Sequence, residues 1–169
     1  MQVETFERRR DPSCANRAVI VWCDGLLFRS RSGRRVSASP ADVDVFPERG
    51  AVLRRYEAEG WKVLGMSWLP EVSGSSMSAA DADAILAAVR DALGVGIDIQ
   101  YCPHPAGPPV CWCRKPLPGL GVTSVHRYRL DPARCIYVGS GPQDPAFARK
   151  LGFQYYDADD FFSRTTLCT

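Results

Sequence analysis

Four residues within a twelve-position stretch could together do chemistry that none does alone: Cys102-Pro-His104 and, after six intervening residues, Cys111-Trp-Cys113. Thiolate sulfur and imidazole nitrogen are the soft and borderline donors that suit Zn²⁺ in a tetrahedral shell. Four protein ligands leave no position open for a reacting water, so the pattern predicts a structural zinc rather than a catalytic one. The one-residue spacing inside each pair is tighter than the common two-residue knuckle. Pro103, Pro105, Pro108 and Pro109 stiffen a stretch with few other means of holding its shape, and metal binding would supply the missing stability. The alternative is a set of unrelated thiols in one loop.

The other cysteines, Cys14, Cys23, Cys135 and Cys168, are scattered and read as small hydrophobes. Seven thiols, an odd number, fit a disulfide framework poorly. His126 stands among Arg and Tyr with no ligand at metal spacing, and reads as a surface residue on a helix.

The elements that must position these groups follow from periodicity and punctuation. Arg17-Ala-Val-Ile-Val-Trp22 is a continuous apolar run, the mark of a strand buried on both faces of a parallel sheet. Further strands are predicted at 61–67, 97–101, 134–139 and 153–156. Helices are predicted from Pro47 to Gly60, from the Ser78 cap to Gly94, over 119–128, and from Pro142 to Gly152. Residues 29–44, rich in Ser, Arg and Gly, and 102–118, rich in Cys and Pro, read as loops. Strands alternating with helices predict an α/β, doubly wound parallel sheet, with its site at the carboxyl ends of the strands.

Composition sets the outer bounds. With 46% hydrophobic residues and four Trp in 169, a disordered chain is excluded and one domain is expected over 17–169, preceded by a basic N-terminal arm over 1–16. No run approaches the ~20 apolar residues needed to span a bilayer, and the charged start lacks the apolar stretch of a secretory leader. The expectation is a cytoplasmic protein with no membrane partner. Residues 1–35 hold eight Arg against four acids, while 36–130 hold nine Lys or Arg against ten acids. Arg8-Arg9-Arg10 and Arg29, Arg31, Arg34 and Arg35 could therefore meet a polyanion such as nucleic acid, or an acidic protein partner. A solvated arm and loop is the alternative.

Tyr101-Cys-Pro-His104 followed by Cys111-Trp-Cys-Arg-Lys-Pro-Leu-Pro-Gly119 resembles the zinc loop of the heptose-bisphosphate and histidinol-phosphate phosphatases of the haloacid dehalogenase (HAD) superfamily. The likeness runs over roughly 17–157. It sets Val21-Trp22-Cys23-Asp24-Gly25 on the first HAD motif, Ser67 on the second, Arg114-Lys115 on the third and Gly139-Ser140 to Asp144 on the fourth. The resemblance implies a HAD-like, Rossmann-like fold with a zinc-binding loop. It also implies phosphoryl transfer, in which one carboxylate attacks phosphorus, a second protonates the leaving oxygen, and further carboxylates hold Mg²⁺. Here Trp22 stands at the nucleophile position and Ser140 at the leading metal-ligand position. Asp24, at the acid/base position, with Lys115 and Asp144, remains as a residual catalytic set, and Ser67, Arg114 and Lys115 as substrate-binding positions. The bland alternatives are a turn or cap role for Asp24, a loop cation at Lys115 and a helix-start charge at Asp144.

The expectation that follows is a catalytically degenerate phosphatase-like domain, not an enzyme, holding structural zinc but not Mg²⁺ and acting as a binding or scaffold module. The competing expectation is a divergent phosphomonoesterase acting on a phosphorylated sugar or a nucleic-acid end.

Overall fold

A computed structural model describes residues 15–107 and 111–166; Cys14, Arg8 to Arg10, Pro108, Pro109 and Cys168 lie outside the described residues. The apolar run forms β1 (Ala18–Trp22), whose first four residues are buried. Around it lie β4 (Lys62–Trp68), β5 (Asp98–Cys102), β6 (Ile136–Gly139) and β7 (Gln154–Asp157), all parallel, in the order β5-β4-β1-β6-β7. The chain builds outward from β1 on one side and then restarts on the other. The crevice between β1 and β6 is thus the topological switch point, where open α/β sheets place their ligands. Trp22 ends β1 there, in register with Met66 of β4.

Alternation along β1 divides the core into two layers. Val19 and Val21 pack with α1 (Pro47–Ala58), α2 (Ala79–Leu93) and α5 (Ala158–Thr166). Ala18 and Ile20, with Leu64 and Met66, pack against α3 (Gly119–Tyr128) and α4 (Asp144–Leu151). The helix signals in the sequence operate as read. Ser78 accepts from the Asp81 amide at 3.0 Å in a capping box, Gly94 closes α2 at φ 62°, and Ile85, Leu86, Val89 and Leu93 are buried.

Two features differ from the sequence reading. Residues 29–44 are not wholly a loop: β2 (Phe28–Ser30) and β3 (Val43–Val45) pair antiparallel, joined through a 3-10 turn at Pro40–Asp42. Strands of three residues are too short to show alternation, and Asp42 supplies the order instead. Its carboxylate accepts from Ser30 Oγ, Ser32 N and Ala38 N at 2.8–2.9 Å, gathering the polar segment around one side chain. The second feature is α5, which the sequence reading omitted. Phe161 of α5 stacks on Tyr56 of α1 at 5.4 Å, and Phe161 and Phe162 are buried.

Candidate functional site

At the carboxyl end of β1 the backbone turns at Gly25 (φ 72°), a left-handed conformation that glycine adopts without strain. This turn leaves the half-buried Trp22 and Asp24 at the mouth of the crevice. Ser67 and Trp68, at the end of β4, close over Asp24. Ser67 Oγ donates to one carboxylate oxygen and the Trp68 amide donates to the other at 2.8 Å. Ser67 is fully buried and its hydroxyl is given to Asp24. Burial raises the Asp24 pKa above the ordinary carboxylate range, against the opposing pull of Ser67, the Trp68 amide, Arg35 and Lys115.

Across the crevice, Lys115 forms an ion pair with Asp144, at the start of α4. The pair is enclosed: 11% of the Lys115 side chain and 1% of that of Asp144 are exposed. Asp144 also accepts from Tyr137 Oη at 3.0 Å and from the Gly141 amide at 2.8 Å. The Lys115 ammonium sits 3.5 Å from the centroid of the Trp22 ring, a close cation–π contact. Burial lowers the Lys115 pKa while Asp144 works to raise it. Ser140, in the turn before α4, is exposed.

The second cluster begins at Cys102, the last residue of β5, at the same carboxyl edge of the sheet. Cys102 Sγ stands 3.6 Å from His104 Nδ1, 3.5 Å from Cys111 Sγ and 3.2 Å from Cys113 Sγ; His104 Nδ1 and Cys113 Sγ are 3.1 Å apart. All four donor atoms fall within 4.8 Å of one another, so these residues could hold one metal ion. Donors at tetrahedral positions about 2.3 Å from a common centre would stand about 3.8 Å apart, close to this arrangement. Burial pushes the Cys102 thiol up to about 12, so a metal binding there must displace its proton. The loop is braced by its neighbours. Arg114 donates to the carbonyls of Pro105 (3.0 Å) and Ala106 (3.1 Å), and Trp68 Nε1 donates to that of His104 (2.8 Å).

No family model matches the chain, and no curated protein matches it. Solved structures do. D,D-heptose 1,7-bisphosphate phosphatase from B. bronchiseptica, complexed with magnesium and phosphate, superposes with a TM-score of 0.71 over 89% of this chain and 87% of that one, at 22% identity. The chain has the HAD-like fold. A HAD-like protein from Mesorhizobium loti gives 0.72 at 19% identity, covering 89% of this chain and 86% of that one. The heptose-bisphosphate phosphatase from Burkholderia thailandensis gives 0.62 at 16%, covering 90% and 97%.

On this HAD-like frame the positions singled out in the sequence form two groups. Trp22, Asp24, Ser67, Lys115 and Asp144 meet at the crevice, and Cys102, His104, Cys111 and Cys113 meet at the metal-type cluster. Arg114 bridges them, since it braces the loop and lies 5.1 Å from the Trp68 ring. His126 is exposed on α3, as expected. Cys23 and Cys135 are buried, as small hydrophobes would be. Sequence reasoning did not identify Tyr137 as a partner of Asp144, nor Arg35 as a neighbour of Asp24. Arg35 reaches over Trp68 (5.0 Å) to pair with Glu71 (2.5 Å). Neither residue sits in a motif.

Proposed function

We propose that this chain has exchanged phosphoryl transfer for binding: a HAD-fold module held in shape by a structural zinc, whose crevice receives a ligand or partner without hydrolysing it. The observation that carries this reading is the Trp22–Lys115–Asp144 arrangement. An indole carbon framework offers no lone pair suited to attack phosphorus, and this one occupies the end of β1. Mg²⁺ requires several hard oxygen ligands in near-octahedral geometry. Here the Asp144 oxygens already accept from Lys115, Tyr137 and Gly141, and Ser140 adds only a neutral hydroxyl. The residues present do not fit a catalytic Mg²⁺.

Zinc, by contrast, suits the donor set of Cys102, His104, Cys111 and Cys113. With four protein ligands it would fix the loop that carries Arg114 and Lys115, supplying folding stability and leaving no coordination site for substrate. The partner would be a protein, or a polyanion reached through the arginines after β2.

The test is hydrolysis of p-nitrophenyl phosphate and of sugar phosphates with Mg²⁺ present. No turnover is expected. One observation favours the second reading, a divergent phosphomonoesterase acting on a phosphorylated sugar or nucleic-acid end: Asp24 keeps a fixed carboxyl group with a raised pKa, as a general acid requires. Turnover by the wild-type chain that disappears in Asp24→Asn would establish that reading and overturn the binding one.

A further inference from the structure

We infer that the outer face of α3 and α4 binds single-stranded nucleic acid, with Trp112 as the ring on which a base stacks. This surface lies outside the crevice and does not depend on whether the crevice hydrolyses phosphate. Its charge sets it apart. Residues 36–98, which supply α1 and α2 on one side of the sheet, carry ten acids against five Lys or Arg. Residues 99–156, which supply α3 and α4 on the other side, carry seven Lys or Arg against two acids, and both acids, Asp131 and Asp144, are buried. The net charge of +2 is thus the balance of an acidic layer and a basic one. At the margin of the basic layer, Asp98 is held by Arg127 at 3.6 Å and by the Tyr128 hydroxyl. A second copy meeting this face with its own would set like charges together, so the complement is a polyanion.

Three of the four indoles are already covered: Trp22 by Lys115 (3.5 Å), Trp68 by Arg35 (5.0 Å) and Arg114 (5.1 Å), and Trp61 by Arg17 (4.6 Å). Trp112 is 61% exposed, with no cation or ring over it among the described residues. Its position is nonetheless fixed. The Trp112 carbonyl accepts from the Gly119 amide at 3.1 Å, and the ring lies so close to the start of α3 that a Cβ at position 119 would stand 2.4 Å from Trp112 Cδ1. Val122, one turn along α3, is the other large hydrophobic side chain exposed among the described residues. The end of α4 meets this same turn, since Leu151 fills the space that a Cβ on Gly121 would need. Lys150 Nζ donates to the Pro116 carbonyl at 2.9 Å, which uses one of an ammonium's three donors. Arg149 beside it is exposed, and neither forms an ion pair among the described residues. A bare indole next to cations is the pairing a single strand meets with its bases and its phosphates. A duplex hides its base faces, and an acidic polypeptide would answer the charges while leaving the ring without a planar partner.

The experiment is fluorescence-anisotropy titration of a labelled oligodeoxythymidylate of about twelve nucleotides with the full-length chain, beside a duplex of the same length and with poly-L-glutamate as competitor. The single strand should bind saturably, more tightly than the duplex, and resist displacement by poly-L-glutamate. Trp112→Ala should weaken it about fivefold or more, the loss expected of one stacked base, while Trp112→Phe, which keeps a ring, should retain most of the affinity. The double variant Arg149→Glu and Lys150→Glu should flatten the salt dependence by about one unit of slope or more at an unchanged melting temperature. No binding of the single strand, or affinity unmoved by Trp112→Ala, would overturn the proposal. So would equal binding of the duplex, and displacement by poly-L-glutamate would assign the face to an acidic protein instead. Loss of the terminal phosphate from a 5′-phosphorylated strand would overturn the non-hydrolytic reading of the crevice and leave this surface standing.

Discussion

Lys115 is held between a buried carboxylate and an indole face, and a single substitution tests what that costs. Lys115→Met leaves Asp144 enclosed with only Tyr137 and Gly141 as donors. Removing one partner of a buried ion pair typically costs about 3–5 kcal/mol, so the urea midpoint should fall steeply. A loss below about 1 kcal/mol would mean that the pair is solvated in solution. Asp24 makes a different prediction. Burial raises its folded-state pKa above the unfolded value of about 3.9. The native state therefore binds more protons than the unfolded one between these two values, and stability from this group falls as pH rises through that window. In Asp24→Asn the decline should flatten, because Asn cannot ionise yet can still accept from the Trp68 amide. Parallel curves for the two proteins from pH 4 to pH 7 would show that Asp24 is not shielded from water.

Two small elements carry most of the local risk. The β2–β3 pair leans on Asp42, whose pKa is lowered by the Ala38 amide first and by Ser30 and Ser32. A depressed carboxylate stabilises above its unfolded pKa, and that contribution is lost as pH falls toward the folded value. Asp42→Asn should thus lower the melting temperature at pH 7, and the gap to wild type should narrow on acidification toward pH 3. A gap that is independent of pH would assign the effect to shape rather than charge. The metal-type loop should behave as a second unit. Metal analysis of the purified chain should find one zinc per molecule, and Cys111→Ser should lower both zinc content and melting temperature. A metal-free chain whose melting is untouched by Cys111→Ser would refute the structural zinc.

At the scale of the whole molecule, a net charge of +2 gives little long-range field, and two of the four arginines of the 29–35 segment are paired with carboxylates. Arg29 pairs with Asp44 at 2.9 Å, Arg31 donates to the Val43 carbonyl at 2.8 Å, and Arg35 holds Glu71. Arg34 has no such bond among the described residues and lines the clefts on either side of it. If a polyanion binds here, Arg34→Glu should flatten the salt dependence of binding to heparin by about one unit of slope or more. An unchanged slope would remove this segment from the interface. The sheet was legible because the continuous apolar run at β1 and the strands that follow leave few alternatives, and its helices because Pro47, Ser78, Gly94 and Gly152 mark their ends. The metal cluster was legible because its four donors are close in sequence. The β2–β3 pair was not, since three-residue strands carry no period. Tyr137 and Asp144 meet through a strand end and a helix start, and Arg35 reaches Glu71 across 36 positions, convergences that no local pattern announces.

The root of the crevice lies in the central strand of a five-stranded sheet, where the Cys23 amide, next to Trp22, donates to the Met66 carbonyl at 2.8 Å. Amides so placed exchange with solvent deuterium only when the whole molecule opens, whereas frayed or loop amides exchange through local fluctuations. The floor of the site cannot yield alone. A ligand must accept the shape it finds, and whatever it gains by binding will slow exchange across the entire sheet rather than around the crevice.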